Sequence, residues 1–157
     1  MPYICHKITH LANIDLQTFF ADNNFIKVKL HFTASNHYKI VAHVNGVKGW
    51  FVIDTGASTT FISNNNVNKF KLKLEQTSLS AQGAGSAQIV AKISNNNLLK
   101  IGRWRNTQCS VALIDLDPIN SAFVKSGLKQ VDGIIGADVL KKANAVIDYG
   151  RNYLYVK

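Results

Sequence analysis

Apolar and polar side chains alternate along much of the first half of the chain. Residues 26–32 place apolar side chains between lysine and histidine, and residues 38–44 repeat the alternation after a polar turn. This period of two is typical of half-buried strands. Asn45-Gly46 follows as a strong signal for a two-residue hairpin. The unbroken apolar run at residues 50–53 predicts a strand buried on both faces, which ends at Asp54.

Helical signals are few and short. Asp15 precedes residues 16–20 in a position to cap a short helix, and residues 67–71 fit a single helical turn. Residues 137–144 are the best helix candidate, because their apolar side chains share one side. Asp138 lies in the first turn of that helix, where a negative charge suits the helix dipole. The whole pattern predicts an all-β fold, mainly β with one short helix near the C-terminus.

The composition fits one folded domain. The chain has 157 residues, of which 46% are hydrophobic and 17% charged, with neither an internal repeat nor a linker. No apolar run approaches the roughly 18 residues that span a bilayer, so a membrane span is not expected. The two cysteines, Cys5 and Cys109, do not make a disulfide framework, which favours a reducing, cytoplasmic location. A periplasmic or membrane-associated location is the alternative if a leader is missing from this sequence.

The positive charge of the chain suggests two kinds of partner. Lysine and arginine number 18 against 9 aspartates and glutamates, which could serve nucleic acid or simply keep the protein soluble. The lysines are scattered, and the exposed strand positions lack the interleaved aromatic side chains of a stacking platform, so nucleic acid is not expected as a partner. Cys5, His6 and His10 could contact a metal, but they lack a fourth ligand, and we interpret them as surface residues.

The candidate chemistry lies in the turn after the buried strand. Its residues are Asp54, Thr55, Gly56, Ala57 and Ser58. A carboxylate delivered by a buried strand into a turn of small residues has room for a ligand. Taken alone, the same tripeptide also fits an ordinary turn between two strands.

Three segments in order resemble one family. The first is the Asp54 turn with its apolar strand. The second is a glycine-rich hairpin made of Gln82, Gly83, Ala84, Gly85 and Ser86, and the third contains Ile134, Ile135 and Gly136 ahead of the predicted helix. Together they are similar to the retropepsin-like aspartic proteases, the retroviral-type family with one lobe per chain, in its cellular and bacterial branch.

The resemblance implies a closed β-barrel and an aspartic endopeptidase. Asp54 would be the catalytic residue, the turn Thr55 to Ser58 its active-site loop, the hairpin Gln82 to Ser86 a flap over an extended peptide substrate, and Ile134 to Gly136 a packing segment. It implies neither a metal nor a cofactor. Because the chain contains one Asp-Thr-Gly and this chemistry needs two carboxylates, the enzyme must be a homodimer.

Two questions stay open at the level of sequence. Residues 37–157 match the protease domain, whereas residues 1–36 form an N-terminal extension with a short helix and a strand. This extension could belong to the barrel, to the dimer interface or to a removable pro-segment. The alternative function is a catalytically inert binding or dimerisation module on the same fold, since fold does not imply function.

Ala57 leads to a prediction about pH. Pepsin-like relatives usually carry serine or threonine at this place, whose hydroxyl stabilises the ionised carboxylate and lowers its pKa. Alanine lacks this donor, so we expect peptide cleavage to be fastest at mildly acidic to near-neutral pH. Cleavage rates measured across the pH range test this, and a sharp optimum in strong acid would contradict it.

Overall fold

The computed structural model describes residues 15–75 and 92–157. Over these residues the chain forms mostly strands, with three short α-helices and one turn of 3₁₀-helix at Asn64–Asn66. The strands are β1 Ile26–Lys29, β2 His31–Phe32, β3 Tyr38–Val44, β4 Val47–Ile53, β5 Phe61–Ser63, β6 Leu74–Glu75, β7 Ile93–Ile101, β8 Trp104–Ile114, β9 Gly133–Ile135, β10 Val146–Asp148 and β11 Tyr153–Val156. The helices are α1 Leu16–Asp22, α2 Asp117–Lys125 and α3 Ala137–Lys142.

Six strands close into a barrel. Eight strands follow the order β2-β3-β4-β9-β5-β8-β7-β6, and a further pairing of β3 with β7 joins the sheet to itself. The remaining strands form a three-stranded sheet in the order β1-β11-β10. The predicted mainly β fold with a closed barrel is therefore confirmed.

The predicted hairpin is present, and its turn is bonded to β7, the strand that pairs with β3. Asn45 and Gly46 connect β3 to β4 with φ angles of 50° and 84°, as a type I′ turn requires. The Asn45 side chain donates to the carbonyl of Phe70 and to Oδ1 of Asn97, and its own oxygen accepts from the N–H of Leu98. One turn residue thus connects the hairpin to β7.

Strand β4 is buried on both faces, as its apolar run predicts. Phe51 is fully buried in the main core, where it packs with Ile40, Ile62 and Ile135. Val52 faces the other way and belongs to a smaller cluster with Phe123 and Val131. The strand that ends at Asp54 is therefore held between two apolar layers.

Strand β9 lies between β4 and β5. It runs parallel to β4, with Ile53 opposite Ile135, and antiparallel to β5, with Phe61 opposite Ile134. The space there admits no side chain at Gly133, because a Cβ would lie 2.3 Å from the carbonyl oxygen of Phe61. A late segment of the chain is thus threaded against the strands on either side of the Asp54 turn.

The helices differ in part from the sequence prediction. Helices α1 and α3 lie where they were predicted, although the Asp15 carboxylate makes no side-chain cap and instead lies 3.4 Å from Arg151. Helix α2 was not predicted: the sequence pattern predicts one short helix near the C-terminus, at residues 137–144. Asp117 in fact begins α2, followed by a proline that suits the first turn of a helix. None of the described helices is long and apolar enough to cross a membrane.

The first described residues are joined to later strands. Strand β1 pairs with β11, so that Ile26 lies opposite Val156, and β2 pairs with β3, so that Phe32 lies opposite Tyr38. The division of the chain at residue 36 stays a prediction.

The close packing of β9 predicts that a single methyl group added at Gly133 lowers the stability of the fold markedly. Gly133→Ala should lower the free energy of unfolding by about 3 kcal/mol, because the new Cβ meets backbone that cannot rotate away. Denaturant unfolding measures this. Gly127→Ala is the matched control: nothing lies within 4 Å of its Cβ, and only its φ of 69° is unfavourable, which costs about 1 kcal/mol. Equal losses for the two variants would contradict the packing argument.

Candidate active site

Asp54 lies at the end of β4, where its backbone is fixed and its side chain is exposed. Its N–H donates to the carbonyl of Ile135 over 3.1 Å, which extends the pairing of β4 with β9 by one bond. One carboxylate oxygen accepts from the N–H of Gly56 at 2.9 Å, and the N–H of Ala57 donates to the Asp54 carbonyl at 3.3 Å. The carboxylate is thus oriented by the turn that follows it and open to solvent.

The rest of the turn rests on the segment that follows β9. The N–H of Ala137 donates to the carbonyl of Ala57 at 2.7 Å. A Cβ on Gly136 would lie 2.5 Å from the carbonyl oxygen of Thr59 and 2.8 Å from that of Ala57. Only glycine therefore lets the two backbones approach this closely.

The predicted site residues fall into three groups. Thr55, Gly56 and Ser58 are exposed beside Asp54, and Ala57 is half-buried. Of the packing segment, Ile135 and Gly136 are buried, whereas Ile134 is half-buried and packs on the Val52 cluster. The flap candidates lie outside the described residues; they are Gln82, Gly83, Ala84, Gly85 and Ser86.

A small cavity beside Asp54 brings in residues that sequence reasoning missed. It holds about 110 Å³ and is lined by Leu30, Tyr38, Ile53, Asp54, Thr55, Ile147 and Tyr149. The rings of Tyr38 and Tyr149 lie 5.4 Å apart, and the Tyr38 hydroxyl donates to Asn152 over 2.9 Å. The tyrosines come from opposite ends of the sequence, so no local signal could have placed them here.

A second cavity lies on another side of Thr55. It holds about 300 Å³ and is lined by Thr55 together with Ala137, Leu140, Lys141, Asn144 and Ala145. The segment from the end of α3 through β10 to Tyr149 therefore runs along the Asp54 turn and borders both cavities.

The other aspartates near the barrel have structural partners. Asp132 accepts from the N–H of Trp50 at 2.8 Å and pairs with Lys69, and Asp148 is buried and accepts from the N–H of Arg151 at 3.0 Å. Asp54 differs from them because its carboxylate is exposed in a turn between two cavities.

Metal and thiol chemistry find little support in the described part of the chain. Residues 15–75 and 92–157 contain no group of three or more His, Cys, Asp or Glu that could hold a metal ion; Cys5, His6 and His10 lie outside these ranges. Burial raises the pKa of the Cys109 thiol to about 12, and the charge of Asp138 adds to the shift while Lys142 opposes it. A thiol that stays protonated at neutral pH is a poor nucleophile.

Comparison with protein families agrees with this site. The family model described as "Aspartyl protease" matches residues 40–139, which is more than half of the chain. The chain belongs to the aspartyl protease family. The matched range contains the Asp54 turn and the β9 segment, so both halves of the described site belong to the family region. No curated protein sequence matches the chain.

Three solved structures are similar to this chain at low sequence identity. A retropepsin-like aspartic protease from Rickettsia conorii is 20% identical, with a TM-score of 0.57 over 84% of this chain and 89% of that one. The retroviral protease-like domain of Ddi1 from Leishmania major is 16% identical, with a TM-score of 0.49 over 76% of this chain and 86% of that one. An EIAV protease in complex with the inhibitor HBY-793 is 16% identical, with a TM-score of 0.49 over 75% and 98%. The match to the Rickettsia conorii protease shows that the barrel of this aspartyl protease family member is retropepsin-like.

Proposed function

We propose that this protein is an aspartic endopeptidase that works as a homodimer and hydrolyses extended peptide segments. The observation that carries the proposal is the state of Asp54: its backbone is fixed by β9, and its carboxylate is exposed and oriented by Gly56. Such a carboxylate is ready to meet a second group without any rearrangement of the turn that holds it.

The chemistry requires that second group to be another carboxylate. One carboxylate activates water as the general base while its partner donates a proton to the carbonyl oxygen of the scissile bond. Two carboxylates so close cannot both ionise, so they share one proton. The chain carries a single Asp-Thr-Gly, and a two-fold axis beside Asp54 supplies the second copy.

The edge of the three-stranded sheet supports pairing on this side of the molecule. In the described part of the chain β11 has a neighbour on both sides, whereas β10 pairs with β11 alone. Residues of β10 and its flanks border the two cavities at the Asp54 turn. Val146 and Tyr149 are 37% and 62% exposed. An unpaired edge with exposed apolar side chains is suited to strand pairing with a second copy.

Substrate recognition and location remain parts of the proposal. A peptide bound in extended form would add as a strand, with its backbone bonded to the enzyme and its side chains in alternate pockets. The flap that would complete this groove is proposed from the hairpin Gln82 to Ser86. The cytoplasmic location stays a prediction.

Cleavage of an unstructured protein tests the catalytic assignment. Casein digestion scanned from acid to neutral pH should be blocked by a statine-type inhibitor, and Asp54→Asn should lower the rate about 100-fold or more. The exposed asparagine can still accept from Gly56, so its free energy of unfolding should stay within about 0.5 kcal/mol of wild type. A folded dimer without Asp54-dependent cleavage would favour the inert dimerisation module.

The unpaired edge predicts the dimer contact. Val146→Glu places like charges near each other across the two-fold axis, and we expect the dimer dissociation constant to rise at least about tenfold. Sedimentation at several protein concentrations measures it, and cleavage should return as the concentration rises. Val124→Glu, at a side chain 54% exposed on α2, is the matched control. An unchanged dimer dissociation constant in Val146→Glu would show that the dimer contact lies on another surface.

A further inference from the structure

The end of the Asp54 turn is held by a side chain from another element. Thr60 closes the turn and is fully buried. Its hydroxyl accepts from the N–H of Gly136 at 3.0 Å and donates to Oδ1 of Asp138 at 2.7 Å. The N–H of Thr60 donates to Oδ2 of Asp138 at 3.0 Å. One carboxylate therefore holds one residue through both of its oxygens.

We propose that Asp138 is a positioning residue, which sets the place of the Asp54 turn by holding Thr60 and, through it, Gly136. This inference rests on the proposed function, because it concerns the spacing of two Asp54 carboxylates. Asp138 does not touch the reacting atoms and acts only through the turn.

The requirement for a carboxylate follows from the direction of the hydrogen bonds. The Thr60 hydroxyl already accepts from Gly136, so its proton is free for Asp138, and the Thr60 N–H is a second donor aimed at the same group. The two donors reach different atoms of the group, Oδ1 and Oδ2, so both atoms must be acceptors, which holds for an ionised carboxylate and not for an amide. A charged acceptor also makes these bonds stronger than neutral ones.

The position of Asp138 in the chain makes the contact a link between the two halves of the site. Asp138 lies in the first turn of α3, and one of its oxygens also accepts from the N–H of Val139 at 2.8 Å. In the same segment, the carbonyl of Ile135 accepts from the N–H of Asp54, and the N–H of Ala137 donates to the carbonyl of Ala57. The turn is therefore fixed at its start, its middle and its end. At the end the side-chain bonds add to one backbone bond, from the N–H of Ala112 to the carbonyl of Thr60 at 3.0 Å.

The exposure of Asp138 distinguishes its positioning role from a role in packing the hydrophobic core. Asp138 is exposed, whereas the Thr60 that it holds is fully buried. Its replacement by asparagine leaves no cavity and should not prevent folding. The amide keeps an acceptor for the Thr60 hydroxyl but presents N–H groups to the Thr60 N–H, so the turn should shift. Since misplacement by about 1 Å can cost about 100-fold in rate, a small shift is measurable.

The test compares acid-to-amide changes at two sites. Asp138→Asn should lower kcat for casein-derived peptides about tenfold with KM nearly unchanged. Asp132→Asn is the matched control, since Asp132 also accepts a backbone N–H, from Trp50 in the middle of β4; it should leave kcat within about twofold of wild type. Thr60→Val, which lacks the hydroxyl, should lower kcat as much as Asp138→Asn does. Thr60→Ser keeps the hydroxyl, so its kcat should be close to that of wild type. An unchanged kcat in Asp138→Asn, or equal losses in Asp132→Asn, would overturn the proposal.

Amide hydrogen exchange separates this inference from the proposed function. The amide hydrogens of Thr60 and Gly136 should exchange at least about tenfold faster in Asp138→Asn than in Asp132→Asn, whether or not the protein cleaves peptides. Wild-type protein without Asp54-dependent cleavage would remove the proposed function, and the exchange rates would then decide whether Asp138 holds the turn. Equal exchange rates in the two variants would falsify the positioning role.

Discussion

The close contact between β9 and the strands on either side of the Asp54 turn is the constraint on which the site depends. Gly133 brings β9 against β5, and Gly136 brings the next segment against Thr59 and Ala57, each so closely that a Cβ would overlap backbone atoms. Backbone groups contacting at this distance cannot be repositioned by side-chain movement. The turn therefore inherits its shape from a segment almost eighty residues later, which explains how an exposed loop can have a fixed geometry.

The strands that form this contact are buried on both faces, whereas the Asp54 turn that they support is exposed. Phe51 and Ile135 enter the main core, and Val52 and Ile134 pack with Phe123 on the opposite face. The strands that lead to Asp54 are thus stabilised from both faces by apolar burial. The carboxylate itself contributes little to folding, since it lies outside both layers. A rigid support under an exposed reactive group is what a site completed by a second subunit needs.

Local patterns predicted the parts of this structure that depend on local interactions. The alternation at residues 38–44, the Asn45-Gly46 turn and the apolar run before Asp54 are all present as strands and a hairpin, because periodicity and turn chemistry act over a few residues. Helix α2 was missed although Asp117 and the proline after it give a start signal. The bonds of Asp138 to Thr60 and the pairing of Tyr38 with Tyr149 were out of reach, because each joins residues far apart in the chain.

The three-stranded sheet has a consequence for the time course of folding. Its central strand β11 is the last of the described strands and its partner β1 is the first, so that Ile26 must pair with Val156. Pairing of such distant segments is slow, because the loop between them must close before any contact stabilises it. The barrel does not include β1, so it can assemble before β1 pairs with β11. The strand edge beside Asp54 is complete only once β11 is available for pairing. The dimer surface proposed at this edge therefore forms only with the three-stranded sheet, later than the barrel that holds Asp54.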